Sequence, residues 1–273
     1  MTKADQIYCE LINSIFQKGE LIESRNGTTR RMFTLPTVTF NRTPLITLRK
    51  TAWKKALREM EWFLSGNSLC PDELLDWWEG QLSPDNCYLG GYSDQLRTFQ
   101  FTFDQIEALL DGIRTHPFSR RHVITTWNPA EMYSIRDLNE NPNTPTTCHT
   151  TIAQFFCSPA GGISMHSYQR SADMLLGVPH NWIQSWALLL WVAAQVEGYA
   201  DTMLWTFGDA HVYMEPSHLD VVWSLRSVED FCMERFSPRL EYTGKIGDWF
   251  KAEDFDMVGV IPEPRILTRP KLL

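Results

Sequence analysis

The sequence predicts a single mixed α/β (α+β) domain, on three grounds. Its 273 residues, 43% hydrophobic and 21% charged, match a globular chain able to bury one sizeable core. Amphipathic segments of helical period alternate with short segments of period two. No internal repeat, low-complexity tract or linker interrupts residues 1–273.

Residues 4 to 18 place Ile7, Leu11, Ile12, Ile15 and Phe16 at helical spacing. Glu23 to Thr29 is expected to be a loop, since Asn26-Gly27 marks a turn. Arg25 sits there among small hydroxyl residues, a setting that suits phosphate contact and plain solvation equally. Thr34 to Phe40 alternates like a strand, and Pro36 argues for an edge. A helix is predicted from Thr51 to Leu64, with Glu59 against its apolar stripe as a satisfied surface charge or a partly buried acid. Pro71 to Gln81 reads as a short helix carrying Trp77-Trp78, and residues 82 to 100 as an irregular loop around Leu89-Gly-Gly-Tyr92. Phe103 to His116 is amphipathic, and Ser119-Arg-Arg-His122 opens a strand, Val123 to Trp127. Thr150 to Cys157 and Ile163 to Tyr168 are expected to pair antiparallel across Gly161-Gly162, with Cys148 at one end. Trp182 to Val196 is apolar enough to be a buried helix, and Met203 to Phe207 is another strand.

A net charge of −8 argues against general nucleic-acid binding but leaves room for a local arginine cluster that holds a small anion. Six cysteines without a CxxC pair argue against a metal cluster or a disulfide framework. The N-terminus has no apolar h-region and the longest apolar run is short of a membrane span, so a soluble, cytoplasmic protein is expected. Eleven tryptophans are many for this length; most are expected in the core or an interface, and some beside a flat ring.

Chemistry-bearing residues concentrate between Thr144 and Tyr213. Cys148-His149 alone is a weak signal, because adjacent residues on a strand point to opposite faces and His149 need not be the base. Taken with Ser119 to Asn128, Tyr168-Gln-Arg-Ser-Ala-Asp173, Leu176-Gly-Val-Pro-His-Asn181 and Gly208-Asp-Ala-His-Val-Tyr213, it resembles thymidylate synthase and its nucleotide-hydroxymethylase relatives. The resemblance is collinear from Arg25 to about Ile266 and includes Arg49 and Glu59.

That resemblance implies a large mixed sheet flanked by helices, and a homodimer with its sheets back to back. It implies that Cys148 attacks C6 of a pyrimidine nucleotide, with Glu59, Tyr92, His149 and Asp173 in the catalytic network. Phosphate would be held by Arg25, Arg170 and Ser171, with Arg120 and Arg121 reaching in from the partner subunit. Asn181 and Gln169 would serve the base, and His211 and Tyr213 the sugar. Methylenetetrahydrofolate, the one-carbon donor, would meet Asp173, Trp77 or Trp78, Leu176, Gly177, Arg49 and the C-terminal Leu273, without a metal.

Asn181 favours dUMP over dCMP, because relatives acting on cytosine nucleotides usually carry Asp there. Several departures tilt the expectation to a dUMP hydroxymethylase, of the kind phages use to build modified DNA: Thr147 before the nucleophile, Glu61, Phe207, Trp182, Gln184 and Lys271 in the tail. Thymidylate synthase is the alternative, followed by a dCMP hydroxymethylase and a non-catalytic nucleotide- or RNA-binding relative.

Overall fold

The computed structural model describes residues 1–24, 27–129, 147–228, 237–268 and 270. Helix α1 (Lys3–Lys18) begins at a capping box: Thr2 Oγ1 accepts from Asp5 N at 3.0 Å and Asp5 Oδ2 accepts from Thr2 N at 2.8 Å. Asp5 is buried and also takes Thr47 N at 2.7 Å, so the cap ties α1 to the segment leading into α2. The face carrying Ile7, Tyr8, Leu11, Ile12 and Ile15 packs into the core.

Seven strands form the main sheet: β1 (Glu20–Ser24), β2 (Gly27–Met32), β3 (Val38–Phe40), β4 (Val123–Thr125), β5 (Ile152–Cys157), β6 (Gly162–Asp173) and β7 (Tyr199–Tyr213). Their order is β1-β2-β7-β6-β5-β4, with β3 also on β7. Among the described strands only β6 and β7 run parallel, which makes the sheet mixed as expected. The predicted pair across Gly161-Gly162 is present, in the register Ile152 to Tyr168 through Cys157 to Ile163. A second sheet pairs β8 (Arg239–Tyr242) with β9 (Phe255–Val258).

Helices α2 (Trp53–Ser65) and α6 (Val178–Gln195) pack on each other, and α6 also packs on β6 and β7. Pro179 lies in the first turn of α6, where a missing N–H costs nothing. This helix is buried on almost every side, as its apolar run predicts. The rest are α3 (Leu75–Trp78), α4 (Tyr92–Arg97), α5 (Gln105–Thr115) and α7 (Pro216–Arg226).

The structure differs from expectation in three places. Within the expected loop Glu23 to Thr29, residues 23–24 end β1 and residues 27–29 begin β2, which pairs back onto β1 from Gly27 at φ 104°, while Arg25 and Asn26 lie outside the described residues. Residues 82 to 100 contain α4, whose first residue is Tyr92. Its start is set by Gly91, where a Cβ would lie 2.0 Å from the Tyr88 ring. Residues 147–151 are not strand, and Thr150 takes the left-handed conformation at φ 48°. The nucleophile therefore stands on a bend ahead of β5.

Candidate active site

Threonines hold that bend. Thr147 Oγ1 donates to the Thr126 carbonyl at 3.0 Å, and Thr126 Oγ1 reaches the carbonyls of His149 at 3.4 Å and Thr150 at 3.2 Å. Thr151 Oγ1 donates to the Cys148 carbonyl at 3.2 Å and Thr125 Oγ1 to that of Thr151 at 2.7 Å. A β-branched residue at positive φ is strained, and such strain persists only where neighbours over-determine it. Thr147, which stands where synthases usually have Pro, is one of those neighbours.

Three elements converge on Cys148. From β6, Arg170 places Nη2 4.0 Å from Sγ and Nε 3.3 Å from the Thr147 carbonyl, while its guanidinium lies over Trp127 with 4.8 Å to the ring centre. A permanent cation beside a thiol favours the thiolate. Gly208 lets β7 pass close behind, since a Cβ there would meet the Arg170 carbonyl at 2.5 Å. From α4, Tyr92 Oη accepts the backbone N–H of Cys148 at 2.6 Å and of His149 at 3.3 Å. Ser171 N donates to the Cys148 carbonyl at 3.3 Å.

His149 is buried and stacks on Tyr92 with ring centres 4.9 Å apart. Burial pushes its imidazole down to about 3, so it is neutral near pH 7 and supplies no charge to the thiol. Tyr92 is likewise buried, and desolvation holds its phenol well above the ordinary range.

Glu59, on α2, is buried, which settles the choice left open by its sequence context. Trp78 Nε1 donates to its Oε1 at 2.7 Å and Gln184 Nε2 donates to its Oε2. Each hydrogen bond to a charged group recovers about 1.5–3 kcal/mol. Burying an ionised carboxylate costs more than two such bonds return. Desolvation therefore wins, and the carboxyl is pushed up to about 7. Glu61 belongs elsewhere: its carboxylate pairs with Arg58 at 2.8 Å and accepts from Ala252 N at 3.0 Å.

The next group lies where β6 runs into α6. Gln169 Nε2 donates to Asn181 Oδ1 at 3.0 Å, and Asn181 Nδ2 to Gln184 Oε1 at 3.3 Å. Asp173 Oδ1 accepts from the backbone of Leu175 at 2.8 Å and Leu176 at 2.9 Å, and its other oxygen has no hydrogen bond among the described residues. Tyr8 Oη donates to the Met174 carbonyl at 2.7 Å, and the buried Arg49 donates to the carbonyl of Leu175. Arg49 thus braces this turn from inside. Gly177, one residue on, ends the turn and leads into α6.

The two tryptophans separate. Trp78 faces inward to Glu59, whereas Trp77 is half-buried against His180, ring centres 4.7 Å apart, with Lys55 Nζ 5.0 Å from its ring centre. Of the two rings expected near a folate, Trp78 is engaged with Glu59 and Trp77 is the more exposed. Beside half-buried Trp77 and Leu176, the unengaged Asp173 oxygen can accept from a ring N–H. A heteroaromatic one-carbon donor fits these groups.

On β7, His211 and Tyr213 stand edge to face at 5.5 Å. His211 Nδ1 lies 3.2 Å from the Asp209 carbonyl. His211, its Nδ1 3.7 Å from Asp209 Oδ1, and Arg31 at 3.0 Å from the other oxygen hold the Asp209 carboxyl below its usual range. Arg120 and Arg121 are exposed ahead of β4, at the edge of the sheet. Arg25, Lys271 and Leu273 lie outside the described residues.

Two side chains of this site, Gln184 and Trp205, were given no contact from sequence. Gln184 was noted only as a departure from the synthase pattern, although it follows Asn181 by three positions and so shares its helix face. Trp205 lies far from Gln169 in the chain, and only the parallel pairing of β6 with β7 brings them together.

Among the described residues no group of three or more metal-ligating side chains occurs, and no helix is long and apolar enough to cross a membrane. A protein-family model described as thymidylate synthase matches residues 6–270. The thymidylate synthase of Brachyspira hyodysenteriae (strain ATCC 49526 / WA1) is 34% identical over 227 residues, covering 76% of this chain and 79% of that protein.

Proposed function

The chain belongs to the thymidylate synthase family of folate-dependent one-carbon transferases acting at C5 of a pyrimidine nucleotide, and from that premise we propose that it converts dUMP to 5-hydroxymethyl-dUMP. Cys148 thiolate adds to C6, and the electron pair moves toward O4 to leave C5 nucleophilic. Bound methylenetetrahydrofolate supplies the carbon that C5 takes up. Once C5 has given up its proton and tetrahydrofolate has left with the electron pair of its C–N bond, an exocyclic methylene remains on the nucleotide. Water adds there and gives its proton to Glu59, and the returning electrons expel Cys148 from C6. The net change is dUMP, methylenetetrahydrofolate and water to the hydroxymethyl nucleotide and tetrahydrofolate.

One observation supports the product assignment: Gln184, one of the departures from the synthase pattern, donates to the buried Glu59 carboxyl, which is pushed up to about 7 and can take a proton from water at neutral pH. Arg170 and Ser171 beside Cys148 suit the phosphate, with Arg25 and the partner's Arg120 and Arg121 completing the cluster. His211 and Tyr213 suit the sugar, and Asp173, Trp77, Leu176 and Gly177 the folate.

A homodimer fits the outward face of the sheet, where Val123, Ile152 and Phe156 stand exposed while their alternating neighbours are buried. The second reading is thymidylate synthase, favoured by the name of the bacterial relative. Incubation with dUMP and methylenetetrahydrofolate separates the two. No dihydrofolate absorbance, with a product one oxygen heavier than dTMP, is the expected result. Rising absorbance with dTMP formed would make the second reading correct.

A further inference from the structure

Glu59 and Asn181 sit on different helices, yet one unbroken line of buried hydrogen bonds joins them and continues to β7. Trp205 Nε1 donates to Gln169 Oε1 at 3.1 Å. Gln169 Nε2 donates to Asn181 Oδ1 at 3.0 Å and to the Ser171 carbonyl at 3.1 Å. Asn181 Nδ2 donates to Gln184 Oε1 at 3.3 Å, and Gln184 Nε2 to the Ala56 carbonyl at 3.0 Å and to Glu59 Oε2. Trp205, Gln169 and Gln184 are at most 1% exposed.

An amide can usually turn over and exchange donor for acceptor. Here three termini have one sense. The Trp205 indole only donates, and the carbonyls of Ser171 and Ala56 only accept. Turning Gln169 would set N–H against N–H at Trp205, and turning Gln184 would set oxygen against oxygen at Ala56 and Glu59. Turning Asn181 alone would create both faults at once.

We propose that Gln184 is a positioning residue that locks the Asn181 amide to the Glu59 carboxylate, with Trp205 as the fixed anchor at the far end, so that Asn181 presents one polarity only. This deepens the reading above and rests on it for the identity of the base. The valences left on Asn181 are one N–H and one lone pair of Oδ1. In this orientation they meet O4 and N3–H of uracil. Cytosine presents the reverse pattern and would need the turned amide that the line forbids. Selectivity is therefore set by Gln184 and Trp205 as well as by Asn181.

The same line reaches the titrating group. Gln184 and Trp78 each favour the ionised form of Glu59, against burial, with Lys55 assisting from α2. Cys70 is the other titratable group that senses this carboxylate, while Tyr92 and His149 stack beyond Trp78 and Phe63. Loss of either donor moves the Glu59 midpoint up.

The test uses Gln184→Met, which keeps the volume, alongside Trp205→Phe and Trp78→Phe. In the ¹⁵N-labelled protein without nucleotide, the Gln184 and Asn181 side-chain amides of wild type should titrate with the Glu59 midpoint near 7. In Gln184→Met the Asn181 response should vanish, and the midpoint read at the Trp78 indole should rise by about one pH unit. Trp78→Phe should raise the midpoint without changing selectivity. Trp205→Phe should leave the midpoint in place while the dUMP-to-dCMP binding ratio falls at least about tenfold.

An Asn181 amide insensitive to Glu59 in wild type, an unmoved midpoint in Gln184→Met, or an unchanged ratio in Trp205→Phe would each overturn the proposal. If wild type binds neither nucleotide while its amides titrate as expected, the lock stands and the dUMP reading fails.

Discussion

Cys148 meets its surroundings through backbone and cation rather than through the adjacent histidine. Its N–H is held by Tyr92, its carbonyl by Thr151 and Ser171, and its sulfur lies 4.0 Å from Arg170. His149 is turned away into a stack and stays neutral. A serine at position 148 keeps the backbone contacts but not the nucleophilic thiolate. Cys148→Ser should lower kcat by at least about a thousandfold while the nucleotide Kd changes only a few-fold, measured by single-turnover assay and calorimetry. Retained turnover would remove Cys148 from the mechanism.

Short elements with demanding contacts do most of the positioning. Helix α4 has six residues, yet it presents Tyr92 to two backbone N–H groups of the nucleophile bend. Its start depends on Gly91 lying flat against Tyr88. Gly91→Ala would drive a methyl group into that ring, and overpacking of this kind costs about 1–3 kcal/mol. The expected outcome is a lower Tm together with reduced kcat, since Tyr92 moves with the helix. A Tm loss with unchanged kcat would show that Tyr92 does not support the bend. The expectation of an irregular loop at residues 82 to 100 missed this helix because α4 is too short for a periodic signal.

At the scale of the whole molecule, buried titrating groups set the pH range of stability. His149 and His180 are pushed down by burial, to about 3 and about 4. Their unfolded forms take up protons below about 6.5. The unfolded state then binds more protons, so stability falls as pH drops from about 6.5 toward those folded values. Glu59 acts in the opposite sense: its folded carboxyl keeps a proton up to about 7, so its contribution falls as pH rises from its unfolded value of about 4.3 toward 7. Each pH unit of difference is worth about 1.4 kcal/mol, and the two histidines together exceed the one carboxyl. Urea midpoints should therefore drop between pH 6.5 and 4, and a flat profile would contradict the burial of these imidazoles. A second prediction concerns the sheet face. Phe156, 64% exposed, is expected to be covered in the homodimer. If the proposed homodimer forms there and the partner's Arg120 and Arg121 complete each site, Phe156→Asp should yield a monomer by light scattering with weakened nucleotide binding, and a persisting dimer would overturn that interface.

The amphipathic runs determined α1, α2, α5 and α6, and the alternation around Gly161-Gly162 determined the β5–β6 hairpin, because period and turn chemistry are local properties. The collinear motifs carried the family in the same way, and they singled out Cys148, Arg170, Asp173, Asn181 and His211. Tertiary structure decided what depends on distant partners. The parallel pairing of β6 with β7 puts Trp205 against Gln169, and the packing of α6 on α2 puts Gln184 against Glu59. The same packing turns Trp78 inward and leaves Trp77 outside, a choice two adjacent identical residues cannot encode locally. Burial, and with it the pKa of Glu59 and the neutrality of His149, arises only when separate elements exclude water together.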